Sequence, residues 1–169
     1  MNALEKINIK QIIKNHLATL VNDNSKKPEF SDWLTFLIIP AVVAGVLVYL
    51  KIELSERAIN IVITTLSILV GLLFNVIVIL FDILKRDISE RIKNELLKQL
   101  LTNISYSIFI SLFIIFLTVM TFFKIEIWVT ICTFLVYFFL SHFSLTVLMI
   151  LKRVYALFLN EMNEIEEDK

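Results

Sequence analysis

Four apolar runs alternate with short polar punctuation along this chain, and the longest run sets the scale for the rest. From Ala58 to Phe81 no charged residue interrupts 24 positions, which as a helix extend about 36 Å at 1.5 Å per residue. A hydrocarbon core is about 30 Å thick, so this run predicts a membrane-crossing helix. Runs at about 34–50, 101–123 and 127–151 predict three more spans, the first being the shortest. The expected fold is all-α: a polytopic membrane protein with four transmembrane helices as two hairpins, carrying cytoplasmic helical extensions.

The punctuation divides the chain into an amphipathic helix and linker (1–30), a transmembrane domain (31–151) and an acidic tail (152–169). Over residues 3–21, Ile9, Ile12, Ile13, His16 and Leu20 share one arc, with Lys6, Lys10 and Lys14 along its margin. Such a helix lies either in the membrane interface or against the protein's own cytoplasmic surface. His16 falls on the apolar arc and reads as a packing histidine, because no second ligand stands nearby in the sequence. Asn22 to Pro28 is a polar breaker; Ser31 or Asp32 then caps the first span, with Trp33 at headgroup depth. Pro40 lies inside that span and has no N–H, so it leaves the Phe36 carbonyl without its usual helical donor. In a membrane that carbonyl must find a neighbour or a water.

The turn from Lys51 to Glu56 leads into the second span, with Ser55 as a helix start. Asp87 and Glu90 fit a capping box, after which Ile88, Ile92, Leu96 and Leu100 recur every four residues. This predicts an amphipathic helix over 88–100 running straight into the third span. Lys124-Ile-Glu126 makes a second short turn, followed by Trp128. Beyond Lys152 and Arg153 the tail continues helically, with Leu157, Phe158, Met162 and Ile165 on one side.

Composition agrees with the pattern: 58% of residues are hydrophobic, mean hydropathy is +0.83, and there are two Gly and two Pro. Such values belong to membrane proteins. The first residues lack the apolar core and small-residue site of a cleavable signal peptide. Net charge is zero, yet of the 16 Lys and Arg only Lys51, Arg57 and Lys124 fall on the side of the two short turns. The positive-inside bias therefore predicts that both termini and the central connection are cytoplasmic.

Chemistry is sparse. Gly45 and Gly71 stand alone in spans, so there is no phosphate loop. Two His and one Cys on separate segments form no metal cluster, and Ser141-His142 point about 100° apart on a helix. We therefore expect no enzyme activity, no cofactor and no metal. The basic residues are scattered among acidic ones, which excludes a nucleic-acid surface. Cys132 has no cation beside it and reads as packing. Asp82 pairs at the membrane edge with Lys85 and Arg86.

Counting from the span centres puts Asn75, Ser107, Ser111, His142 and Ser144 at one depth in the cytoplasmic half, close to the Pro40 kink. Such a layer either holds helices together by hydrogen bonds or lines a small hydrated cavity. A weak repeat runs beside it: Lys-Ile-Glu joins spans one to two and three to four, and Ile-Leu-Lys-Arg closes spans two and four. Laid on that exit, Asn75 coincides with His142. Outside the spans, Lys85, Arg86, Arg91, Lys93, Glu161 and Glu164 form a candidate surface for a soluble cytoplasmic partner.

The stretch SDWLTFLIIPAVVAGVLVYL, followed by LSILVGLLFN, resembles small bacterial four-span proteins, some encoded beside antiphage defence genes. The resemblance covers roughly Ser31 to Asp82 and supplies no site residues. It implies a multi-pass protein of the bacterial inner membrane that serves as partner or effector in a defence operon. Two functions follow as expectations. One is a homo-oligomeric membrane subunit that forms a pore or perturbs the bilayer. The other is a scaffold that recruits a soluble partner, with a small transporter as a lesser variant.

Overall fold

The computed structural model describes residues 9–20, 34–85, 91–123 and 126–167, and every regular element among them is helical. We number the helices α1 (Lys10–Thr19), α2 (Leu34–Tyr49), α3 (Glu56–Lys85), α4 (Arg91–Met120) and α5 (Glu126–Glu167). Among the described residues three helices, α3, α4 and α5, are long and apolar enough to cross a membrane. α2 covers about 24 Å, which is shorter than a hydrocarbon core. The Asn22 to Pro28 breaker, the caps at Ser31 or Asp32, Trp33, the Asp87/Glu90 capping box and Lys124 lie outside the described residues.

The seams follow a seven-residue rhythm. On α3 the buried residues are Ile59, Leu66, Leu73 and Leu80; on α5 Val136, Phe143, Ile150 and Leu157 repeat the same spacing. Recurrence every seven positions means 3.5 residues per turn, the signature of left-handed packing with crossing angles near 20°. α4 buries three such rows: Leu97, Ile104, Ser111 and Thr118; Leu100, Ser107 and Ile114; and Asn103, Ile110 and Leu117. A helix buried along three rows sits between neighbours. α5 packs along α4 in the largest interface, α3 and α1 also pack on α4, and α2 packs on α5.

α2 and α3 do not pack against each other, although only a short turn joins them. The expected first hairpin is therefore not a packed pair. Each arm is claimed by a different helix: Pro40 and Ala44 are the buried positions of α2, which packs on α5, whereas the leucine seam of α3 faces α4. The turn itself is tightly specified. Lys51 adopts φ 53°, with its N–H bonded to Val48 O at 2.9 Å and that of Ile52 to Leu47 O at 3.1 Å. This is a Schellman ending, with lysine where glycine is usual. Tyr137 of α5 donates its hydroxyl to Ile52 O at 3.2 Å, and Ser55 Oγ accepts the Ala58 N–H at 3.2 Å to cap α3.

α4 runs unbroken from Arg91 and ends at Met120, where Thr121, Phe122 and Phe123 tighten into bonds to Thr118, Val119 and Met120. α5 has 42 residues, or about 63 Å of helix. That is twice a hydrocarbon thickness, so a large part of α5 extends past the apolar bundle.

Candidate functional site

α2 begins with a π-helical turn, Leu34–Ile38, and Pro40 follows immediately. The pyrrolidine ring both lacks a donor and crowds the carbonyl four residues back, so Phe36 O turns out of the helical ladder. It is not left bare. His142 Nδ1 lies 2.9 Å from Phe36 O, donated from α5, the helix against which α2 packs.

That bond assigns the histidine's tautomer. A carbonyl only accepts, so Nδ1 carries the proton, and Nε2 of the neutral ring is an acceptor. Tyr106 of α4 supplies the matching hydroxyl, 2.9 Å from Nε2. Both ring nitrogens are thereby satisfied in a residue that is only 6% exposed. Phe138 lies parallel to the imidazole with centroids 6.4 Å apart, and Phe36 meets it edge-on at 6.3 Å.

The second histidine of the chain completes the site. His16 on α1 is fully buried and stacks on Tyr106, with ring centroids 3.7 Å apart and planes 7° from parallel. It stands edge-on to His142, 5.9 Å between centroids. Its Nδ1–H donates to Asn103 Oδ1 at 2.8 Å. The Thr19 hydroxyl lies 2.8 Å from the same oxygen and 2.7 Å from His16 O, so its single proton serves one of them at a time. Arg153 of α5 donates from Nη2 to Thr19 O at 2.9 Å, meeting a carbonyl that the end of α1 leaves open. Among the described residues, His16 Nε2, Asn103 Nδ2 and Ser107 Oγ are buried without a hydrogen-bond partner. Burial is the main force holding the His16 pKa down, to about 4; the Asn103 bond opposes it, and charge on His142 and Arg153 adds to the depression.

His16, expected on the apolar arc as a packing histidine, is buried and stacked on Tyr106, with a hydrogen bond to Asn103 that the sequence did not indicate. The sequence separates His16, Asn103, Tyr106 and His142 by as many as 126 positions, and the fold brings them to one level. Two signals pointed there: the carbonyl freed by Pro40, and the i, i+3 spacing that puts Asn103 and Tyr106 on one face of α4.

The proposed polar layer narrows accordingly. Ser107 and Ser111 are buried on α4, but Ser111 turns to its own helix and donates to Ile108 O at 2.7 Å. Ser144 is exposed and donates to Leu140 O at 2.9 Å. Two positions from His142, it is rotated about 200° around α5, and cannot share its face. Asn75 is exposed on α3, which does not pack on α5, so the repeat that aligns it with His142 does not bring the two together. Arg86 and the side chains of Lys85, Arg91, Lys93, Glu161 and Glu164 lie outside the described residues. Among the described residues no group of three His, Cys, Asp or Glu is placed to hold a metal.

Asn75 belongs instead to a second feature. Asn60, Thr64, Ser67, Gly71 and Asn75 are all exposed on α3. At 100° per residue they fall within an arc of about 80°, roughly opposite the leucine seam, with Asp82 continuing the line. A shallow concavity lined by Arg57, Asn60, Ile61, Thr64 and Thr65 opens at one end of this stripe.

The fold and these features define an all-helical protein with three helices suited to crossing a membrane. Comparison with protein-family models, curated proteins and solved structures finds no match to the chain.

Proposed function

We propose that this chain is a homo-oligomeric protein of the bacterial inner membrane, with four transmembrane helices and cytoplasmic termini. In this reading copies meet through α3, and the assembly perturbs the bilayer by opening a polar path for water and small ions. The observation that carries it is the stripe of Asn60, Thr64, Ser67, Gly71 and Asn75 on the uncovered side of an otherwise apolar helix. Ser67 turns back to its own helix and donates to Ile63 O at 2.8 Å. Acyl chains, however, offer the Asn60 and Asn75 amides no partner, so in a membrane they face another helix or water. A second copy of this chain fits best. The stripe is uncharged between Arg57 and Asp82, and amide and hydroxyl groups both donate and accept, so each can pair with its own symmetry mate. Membrane helices gain little from burying apolar surface, because lipid is equally apolar; small residues and shared hydrogen bonds supply the association.

An uncharged wall gives little ion selectivity, which suits an effector that dissipates gradients better than a selective channel. The resemblance to proteins encoded beside antiphage defence genes supports the same role. A scaffold is the second reading. It is favoured by the exposed Tyr155, Phe158 and Met162 on the part of α5 that reaches past Arg153, an apolar face a soluble partner would cover.

Vesicle efflux tests the proposal. Protein reconstituted in liposomes should release a small trapped dye or dissipate a potassium gradient. Asn75→Leu should cut that rate at least tenfold while the circular dichroism of the helices stays the same, because Asn75 is exposed in the single chain. Tight vesicles at every protein density, or equal flux from the variant, would reject the path.

A further inference from the structure

α1 is the one described helix that is not apolar enough for a membrane and yet sends a fully buried side chain into the bundle. Its attachment is unusually narrow. Ile9, Ile12 and Leu20 are half-buried, Ile13 and Leu17 are exposed, and His16 is the single fully buried residue. The ring sits in a site complementary to its neutral form alone. Nδ1–H has its acceptor in Asn103, one face lies on Tyr106, and Nε2 is buried with no hydrogen-bond partner among the described residues. Among the described residues, a proton on Nε2 would create a buried donor without an acceptor and a buried charge without a counter-ion.

Among the described residues, the titratable and charged groups facing His16 come from α4, on which α1 packs, and from α5. α4 contributes Tyr106, and α5 contributes His142 and Arg153. On α1 itself Lys10 and Lys14 are exposed on the far side. None of these compensates a positive imidazolium. Arg153 repels it, and so does His142 when protonated.

We propose that α1 is a proton-sensitive latch: neutral His16 holds the helix against Tyr106 and Asn103 on α4, and protonation of His16 releases it. Detached, a ten-residue helix is too short to stay folded in water, so release also unwinds α1 and frees the Arg153 guanidinium from Thr19 O. The latch does not depend on how α3 assembles. It would place control of the bundle at the end where α2, α4 and α5 are tied together through His142.

The direction of the pH dependence follows from linkage. Released His16 titrates near the ordinary 6.5, docked His16 near 4. The released state therefore binds more protons between those values. Docking is at full strength above pH 6.5 and weakens by up to about tenfold per pH unit as pH falls toward 4.

Hydrogen–deuterium exchange on the full chain in nanodiscs reads this directly, because protection factors report the opening equilibrium even when the open state is rare. Normalised to intrinsic exchange rates, protection of α1 amides should fall about thirtyfold from pH 7.5 to pH 5.0. Amides in the middle of α4 and α5 should hold constant. His16→Phe keeps a ring to stack on Tyr106 but cannot titrate, so its α1 protection should be the same at both pH values. Should that variant fail to dock at all, Asn103→Asp decides. A carboxylate beside Nδ1 stabilises the imidazolium in place, so the loss of protection at pH 5.0 should shrink to a few-fold. Wild-type α1 protection that changes less than twofold between the two pH values would overturn the latch. Equal pH responses in wild type and Asn103→Asp would overturn it as well.

Discussion

Replacing His142 with leucine should destabilise the bundle by about 2–5 kcal/mol, the largest single-residue effect on stability expected here. The reason is that one imidazole serves two groups at once, the buried Tyr106 hydroxyl and the half-buried Phe36 carbonyl. Without it Phe36 O loses its donor and the Tyr106 hydroxyl its acceptor, at about 1–3 kcal/mol for each unsatisfied group. The edge and stacking contacts with Phe36 and Phe138 go as well. Thermal or SDS unfolding in bicelles would measure the loss. A companion substitution makes the test specific to mechanism. Pro40→Ala supplies an N–H at position 40 and lets Phe36 O rejoin the helical ladder. In that background His142→Leu should cost about 1–2 kcal/mol less, a coupling that a double-mutant cycle isolates. Strictly additive effects would mean that the freed carbonyl is not what His142 is there to satisfy.

The second large effect concerns assembly, and its sign is opposite for fold and oligomer. Gly71 is exposed in the middle of the α3 stripe, and a Cβ built there meets nothing within 4 Å. Within one chain Gly71→Leu should therefore be tolerated, and helix propensity should favour it by about 0.5–1 kcal/mol. Between copies, small residues let helix backbones approach closely, and a leucine prevents that approach. The variant should run as a well-folded monomer under conditions where wild type is a discrete oligomer. Native mass spectrometry from mild detergent separates the two outcomes. An unchanged oligomer would show that α3 is not at the subunit contact.

How much of this was legible in the sequence depends on whether the determinant is local. Helix positions were, because an apolar run such as 58–81 declares its own length, and Ser55 announces the start of α3 by capping Ala58 N–H. Pro40 declared an orphaned carbonyl at Phe36 for the same reason: the i to i+4 ladder is a local rule. What the sequence does not hold is which helix supplies the donor. That depends on α2 packing on α5 instead of on α3, its neighbour in the chain. The same blindness affected His16, whose partners Asn103 and Tyr106 lie more than 80 positions away. Depth groups Asn75 and Ser144 with His142, and the repeat adds a second reason for Asn75. Depth is read along the axis, whereas the face a residue presents depends on which neighbour its helix chooses. The heptad rows of α3 and α5 were present all along, but in segments this rich in Leu, Ile, Val and Phe nearly every position is apolar. Period alone does not pick out the buried row there.

The central claim is that the polar stripe of α3 meets its own copies. Cysteine cross-linking along that helix tests it most directly, in a Cys132→Ser background that removes the native thiol. Single cysteines at 60, 64, 67, 71 and 75 should form intermolecular disulfides in native membranes. Cysteines at 72 and 79, exposed but off the stripe, should not. Cross-linking that peaks with the period of the stripe is the predicted result. Uniform cross-linking along α3, or none at the stripe with strong cross-linking at 72 and 79, would contradict it.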